Sequence, residues 1–342
     1  MNAWGQLGDG TTNDSNEPVQ VSMTGALSGK TVRALSVGVG GYACMIASDG
    51  KVYCWGYNAN GQLGNGTYDG NGIPHSLPAQ IVMNGALNGK TVKQISCGAY
   101  HNCVVASDGK AYCWGFNSDG ELGNGATTSW PLTLTPTPVY MNGALLNKTI
   151  KTISASTEPV TCAIASDSKV YCWGTSQSFY GLNLFSYTAV PVSSNVPLPI
   201  NMGPGSALFN KLVRSITLNY AGGGNKCVVA DDNKAYCWGN NKLGQLGDGS
   251  AGDNNAHPDP QPVLMTNAMN GKLIGHVISG GSGHVCTITQ DNFAYCWGIN
   301  YKGQLGDGTT NNSHEPVAVI YDNVYVYPGN NATIPTGVPS GL

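Results

Sequence analysis

The chain has 342 residues and a net charge of −3, and only 10% of its residues are charged, against about 25% in an average soluble domain. Hydrophobic residues make up 41%, which is enough for a sizeable core and excludes a disordered chain, while the absence of a long apolar run excludes a membrane-spanning helix. Because no run of Lys or Arg occurs, we expect no nucleic-acid partner.

The first residues, Met1–Gly5, lack the basic and apolar regions of a signal peptide. The eleven cysteines nevertheless indicate an oxidising compartment, since ten of them form five pairs with the spacing C-x9-C. We therefore expect an extracellular or cell-surface protein, of which this chain is a processed or excerpted part. The expected disulfide pairs are Cys44 with Cys54, Cys103 with Cys113, Cys162 with Cys172, Cys227 with Cys237, and Cys286 with Cys296.

Two strands are predicted ahead of the first cysteine pair. One follows a proline, Pro18–Val21, and the other is Thr31–Ser36. With the two strands of the cysteine hairpin they make four short strands per unit of about 59 residues, which is typical of a propeller blade. The sequence thus predicts an all-β β-propeller of four-stranded blades.

The cysteine hairpin has two possible registers. A two-residue Asp49-Gly50 turn would place Cys44 opposite Trp55, whereas a three-residue loop, 48–50, places Cys44 opposite Cys54. The longer loop requires a left-handed last residue, and Gly or Asn stands there in four of the five units. Both features select the three-residue loop and five local disulfides.

A tryptophan and a glycine follow the second cysteine of every pair. The tryptophan separations are 59, 59, 65 and 59 residues, and a Gly-Gln-Leu-Gly loop or a variant such as Gly120–Gly123 comes next. Large aromatic residues at one repeat position predict packing between blades. These expected core residues are Trp55, Trp114, Trp173, Trp238 and Trp297.

Five complete repeats with partial units at both ends are expected in one domain, 1–327, followed by a tail or linker, 328–342. The approximate repeats are 17–78, 79–137, 138–195, 196–261 and 262–315. We expect Pro316–Tyr321 to begin a sixth unit and Val324–Tyr327 to be its reduced last strand. Six-bladed closure and an incomplete seven-bladed ring both remain open.

Three stretches, Ala106–Gly115, Asn58–Gly66 and Gly98–His101, resemble the repeats of the regulator-of-chromosome-condensation family. The resemblance implies a seven-bladed β-propeller, and it indicates fold better than function because its motifs are structural. The disulfide in each hairpin and the insert Met83–Lys90 resemble secreted or surface-displayed bacterial members.

Candidate chemistry is sparse, and each candidate has a structural interpretation. The Gly85–Thr91 segment is one residue short of a phosphate loop and leads into a strand, which favours a turn. Loops such as Gly8–Asp14 have oxygen ligands for calcium, but capped turns are favoured because EF-hand spacing is lacking. His101 and His284 are expected to bond to backbone, and Cys97 to be a buried free thiol, with an intermolecular bridge as the alternative.

Function is expected to lie in the loops that vary between repeats, foremost 175–204, which loses the Gly-Gln-Leu-Gly motif; simple sequence drift is the equal alternative for that segment. The expected partner-binding aromatics are Trp130, Phe179, Tyr180, Phe185 and Tyr187. We expect a secreted or cell-surface binding module for a protein or glycan, with no catalytic residue, metal or cofactor. The alternatives are a guanine-nucleotide exchange factor, as in nuclear relatives, and a polysaccharide-active enzyme.

Overall fold

The computed structural model describes residues 1–70, 72–126, 128–174, 194–218, 224–250, 256–279 and 283–320. These residues form five four-stranded antiparallel sheets, each made of four strands that are consecutive in the sequence, and one short 3-10 turn, Gly25–Leu27. The strands are β1–β4, Val32–Gly38, Tyr42–Ala47, Val52–Gly56 and His75–Gln80; β5–β8, Val92–Cys97, His101–Ala106, Ala111–Asn117 and Thr128–Pro138; β9–β12, Ile150–Ala155, Val160–Ala165, Val170–Gly174 and Ser194–Pro199; β13–β16, Val213–Leu218, Lys226–Ala230, Ala235–Asn240 and Ala256–Pro262; β17–β20, Ile274–Ser279, His284–Thr289, Ala294–Gly298 and Ser313–Ala318.

The four strands of a sheet differ in burial. The second and third strands are buried on both faces in the first four sheets almost throughout, which explains why their sequences are nearly continuous apolar runs. The fourth strand is an edge strand and contains prolines such as Pro78 and Pro136, which are tolerated where no neighbouring strand needs their amide.

The predicted hairpin register is confirmed in all five sheets. Cys44 lies opposite Cys54, with 4.1 Å between their Cα atoms, and a disulfide joins them. The last loop residue has a positive φ in every hairpin, including Ser168 at 60° and Asn233 at 60°. The loop type and the disulfide therefore depend on each other. The other four disulfides join the predicted partners, namely Cys103 with Cys113, Cys162 with Cys172, Cys227 with Cys237, and Cys286 with Cys296.

The predicted position of the proline strand within the blade is wrong. The stretch Pro78–Gln80 belongs to β4, which pairs with β3 and so closes the preceding sheet rather than opening the next. For the same reason Pro316–Ala318 completes the fifth sheet and does not begin a sixth. Pro18–Val21 forms no strand. Sheet boundaries are thus offset by one strand from the sequence repeats, and both 324–327 and 328–342 lie outside the described residues.

First strands of successive sheets contact one another, so they form the innermost layer of the ring. Side chains bridge them: Ser36 Oγ accepts a hydrogen bond from the Cys97 amide at 3.0 Å, and Ser96 Oγ accepts one from Ala155 at 2.9 Å. Apolar layers fill the space between sheets; one contains Ile46 and Cys54 of the first sheet with Trp114 of the second.

The innermost strand of the first sheet is unusually exposed. Leu35 and Val37 are 57% and 66% exposed, whereas Ile95 and Cys97, which hold the same positions in the second sheet, are each 8% exposed. The difference arises because each later sheet is covered by the sheet before it, and this strand has no such neighbour among the described residues.

Candidate functional site

Four of the five repeated tryptophans bond to the loop that precedes their own sheet, namely Trp55, Trp114, Trp173 and Trp297. Trp114 Nε1 donates a hydrogen bond to the carbonyl oxygen of Gln62 at 3.0 Å, and Gly64 of the same loop lies against the indole. A Cβ on Gly64 would come within 2.5 Å of Nε1, at a φ of +62°. All five tryptophans are at most 1% exposed, so they cannot form a platform for a ligand.

A buried asparagine anchors each of these loops. Asn58 accepts a hydrogen bond from the Leu63 amide at 3.0 Å and donates one to the Thr67 carbonyl at 3.1 Å. The equivalent asparagines are also fully buried, and they are Asn2, Asn117, Asn241 and Asn300. The loops are therefore rigid at their base, which is what a binding surface built on loops requires.

Aromatic residues next to the anchored loops differ between sheets. Tyr57 stacks at a tilt on Trp4, with ring centroids 4.7 Å apart, while Tyr301, which lies two residues further along its own loop, is 59% exposed. Trp130 lies on β8, and its side chain falls outside the described residues. The four other predicted partner-binding residues, all in 175–193, lie outside them as well, namely Phe179, Tyr180, Phe185 and Tyr187.

One loop carries a buried carboxyl where its counterparts carry a glutamine. The Glu121 side chain accepts a hydrogen bond from the Asp119 amide at 2.9 Å, as Gln62 does from Asn60. Burial raises the pKa of Glu121 to about 7. The signal for this site was visible as a Gln-to-Glu change in an otherwise regular motif, but its burial was not predicted.

The ring of His101 bonds to a side chain, whereas a bond to backbone was predicted. Its Nε2 lies 2.9 Å from the hydroxyl of Thr161 on the next sheet, and that hydroxyl donates to the Glu121 carbonyl. Burial lowers the pKa of His101 to about 4, so the ring is neutral at pH 7. Tyr42, at the equivalent position, likewise reaches the next sheet by bonding to Asn102. These positions join sheets and offer no catalytic base.

The unpaired cysteine and a buried lysine are also internal. Cys97 is a buried free thiol whose Sγ lies 3.5 Å from the Ser36 carbonyl, and burial raises its pKa to about 12. Lys226 is 3% exposed; its Nζ donates to the Gly224 carbonyl at 2.6 Å and lies 3.9 Å from a carboxylate oxygen of Glu158. Burial lowers the pKa of Lys226. Both groups are shielded from solvent and from any ligand.

The polar loops use their own side chains to satisfy the backbone. Asp9 and Asp307 accept hydrogen bonds from the amides of Thr11 and Thr309, at 2.9 and 3.0 Å. These are the oxygens that calcium would need. The segment Gly85–Thr91, which resembles a phosphate loop, is a turn. The Lys90 ammonium donates a hydrogen bond to the Ala86 carbonyl at 2.8 Å, and the segment leads directly into β5.

The described residues hold neither a metal-binding cluster nor a membrane-spanning helix. No group of three or more His, Cys, Asp or Glu side chains that could hold a metal occurs among them. No helix in this part of the chain is long and apolar enough to cross a membrane.

Comparison with known proteins identifies this architecture. The family model described as RCC1-like domain matches residues 1–335. The ultraviolet-B receptor UVR8 of Arabidopsis thaliana is 31% identical over 321 residues, which cover 93% of this chain and 64% of the receptor. The human E3 ubiquitin-protein ligase HERC2 is 28% identical over 316 residues, which cover 92% of this chain and only 6% of the ligase.

A solved structure shows the same fold. Yeast RCC1 (Prp20), in its complex with Kap60, matches with a TM-score of 0.71 at 20% sequence identity, covering 94% of this chain and 70% of that one. A second structure, of Prp20p from Saccharomyces cerevisiae, matches with a TM-score of 0.66 and covers 86% of this chain; that protein binds Gsp1p and histones. The chain spans about two thirds of the length of the receptor and of these propellers.

Proposed function

The chain belongs to the RCC1-like domain family, and from that premise we propose that it is a non-catalytic binding module that works outside the cell or at its surface. Its partner is a protein or a glycan, recognised by the loops that differ between repeats. The observation that carries the proposal is the set of five disulfides, one in each hairpin.

The disulfides support an oxidising compartment because thiols are kept reduced in the cytosol. Nine of the ten paired cysteines are at most 3% exposed, and the tenth, Cys286, is partly buried. The bonds therefore lie within the packed layers, where they are shielded from exchange. A protein built around five such bonds is suited to secretion. Protein binding is also a property of the yeast propeller Prp20p, which binds Gsp1p and histones.

The loop surface supports recognition because its described loops are anchored at their base and its sequence varies between repeats. Loops that the structure describes are anchored by a buried asparagine such as Asn58 and held by a tryptophan such as Trp114. Identical sheets present identical surfaces, so a discriminating partner must contact what differs between them, namely 126–137, 175–204 and 250–261. Aromatic side chains dominate interface binding energy, which selects Trp130, Tyr180, Phe185 and Tyr187 as contacts.

A loop exchange tests the proposal. The oxidised protein is screened against panels of cell-surface proteins and glycans, and binding is then measured for W130A and for a variant in which 57–80 replaces the equivalent 175–199. We expect the exchange to leave the melting temperature nearly unchanged and to weaken binding. A partner that binds the combined variant as tightly as the original chain would show that these loops are not the binding surface.

A further inference from the structure

Each innermost strand has a β-bulge at the same place. The pairing with the second strand skips one residue near the start of the first strand in all five sheets. A bulge leaves its extra residue unpaired and redirects the side chain, and bulges are frequent at functional sites. The residues at this position are Arg33, Lys93, Lys151, Arg214 and Gly275.

The bulge position is selectively basic. Four of its five residues are cations, and they include Arg33 and Arg214, the only two arginines among 342 residues. The guanidinium group differs from an ammonium group in binding phosphate and carboxylate oxygens in pairs. Placement of both arginines at one repeat position therefore indicates a surface for anions.

No carboxylate neutralises these cations within the part of the chain that the structure describes. Arg33 and Lys93 make no hydrogen bond or ion pair there, and Lys151 Nζ donates only to Ser168 Oγ at 2.9 Å. Arg214 donates to the Ala230 carbonyl at 2.8 Å and to Asn233 Oδ1 at 2.6 Å, both neutral acceptors. All four side chains are exposed, so they keep their full charge available to a ligand.

The insert lysines differ from these four cations, because most of them have acidic partners. Lys211 Nζ lies 2.7 Å from an Asp232 carboxylate oxygen, and Lys148 Nζ lies 4.0 Å from one of Asp167. The inserts, bulges and hairpin turns together carry thirteen of the sixteen basic residues and six of the nineteen acidic ones, although the whole chain has a charge of −3. This end of the ring, the hairpin-turn end, is therefore positive, and the rest of the molecule is negative.

The four cations surround one cavity. It has a volume of about 1000 Å³ and is lined by residues of the first four sheets, among them all four bulge cations. That volume is at the upper end of the range for small-molecule sites, roughly 300–1000 Å³. Cations that converge from four sheets around one cavity fit a compact ligand with several anionic groups better than an extended one.

We propose that this axial cavity binds a compact polyanion with several phosphate groups, held by Arg33, Lys93, Lys151 and Arg214. The arginines would each contact a phosphate through two donors, and the lysines would add charge between them. The site lies at the hairpin-turn end of the strands, opposite the end at which the loop after the third strand begins. It is therefore distinct from the loop surface of the proposed function.

Inorganic tripolyphosphate serves as the probe, and its binding to the oxidised protein is measured by calorimetry at low and at physiological ionic strength. We expect one site per chain, tighter binding than for inorganic phosphate, and weaker binding at higher salt. The variant R33Q/K93Q should bind about a hundredfold more weakly, since loss of the charge-assisted hydrogen bonds of each side chain is worth roughly a factor of ten. Arg33 and Lys93 make no hydrogen bond or ion pair within the described part of the chain, so the melting temperature of this variant should not change.

The matched control is K242Q/K302Q, which removes the same charge from two exposed lysines next to Gly-Gln-Leu-Gly loops. It should leave tripolyphosphate binding unchanged, as should the exchange of 175–199. The second test variant, K151Q, should also weaken binding. No binding by the original chain, equal weakening in the control, or equally tight binding of a single-stranded oligonucleotide or an acidic peptide would overturn the proposal.

Discussion

Replacement of the buried carboxyl Glu121 by glutamine should stabilise the protein at neutral and alkaline pH. The Glu121 side chain is 1% exposed and accepts its hydrogen bond from the Asp119 amide at 2.9 Å. Glutamine makes the same bond in other loops, for example from Asn60 to Gln62. Because Glu121→Gln keeps the shape and the acceptor and removes only the ionisation, its effect isolates the cost of the buried charge.

The size and sign of the effect follow from the pKa. Burial raises the pKa of Glu121 from 4.5 to about 7, so the folded protein holds this proton more tightly than the unfolded chain does. The contribution to stability is fully present below pH 4.5 and is lost as the pH rises to about 7, and the loss amounts to roughly 3 kcal/mol. For a cooperative domain of this size, that corresponds to about 4 °C in melting temperature.

The assay is thermal and urea unfolding of the oxidised protein between pH 4 and 8.5. We expect E121Q to match the original chain near pH 4 and to exceed it in stability above pH 7. The exposed carboxylate Glu17 provides the control, and E17Q should follow the original chain at every pH. If E121Q is no more stable than the original chain at pH 8, ionisation of the buried carboxyl does not destabilise the folded protein, and the reasoning is wrong.

Three further predictions concern packing and cysteine chemistry. Gly64→Ala should lower the free energy of unfolding by about 2–4 kcal/mol, because the new Cβ meets the Trp114 indole at a left-handed φ. The control Gly29→Ala has open space around it at φ +72° and should lower it by about 1 kcal/mol. Urea melts that give equal losses would show that Gly64 does not pack tightly against Trp114. Cys97 should resist alkylation in the native state and react at once in denaturant, and rapid labelling of the folded protein would show that the thiol is accessible. Reduction should lower the melting temperature by several degrees without abolishing the fold, since each bond closes only a local hairpin; complete unfolding on mild reduction at room temperature would show that the tryptophan packing is weak.

Local features of this fold were predictable, because their causes lie within a few residues. The cysteine register followed from the spacing of Cys44 and Cys54 and the left-handed residue at Gly50, and both hold in the structure. The strand Thr31–Ser36 was expected close to its observed position, Val32–Gly38. Repetition made each inference firmer, since every unit had to satisfy it.

Features that depend on neighbouring sheets were not predictable in the same way. The strand that contains the proline precedes the cysteine hairpin of one repeat in the sequence, but it pairs with the hairpin of the preceding repeat. No local pattern distinguishes these two pairings. His101 bonds to Thr161, 60 residues away on the next sheet. The bulge that presents Arg33 depends on the pairing of two strands, so its basic character became meaningful only once the register was known.

The oxidation state of the cysteines in cells that naturally produce the protein shows directly whether it works in an oxidising compartment. Thiols are trapped with an alkylating reagent during denaturing lysis, and mass spectrometry then counts the labelled and disulfide-linked cysteines. We expect one labelled cysteine, Cys97, and five links within hairpins. Eleven labelled cysteines would place the protein in a reducing compartment and contradict the proposed extracellular function.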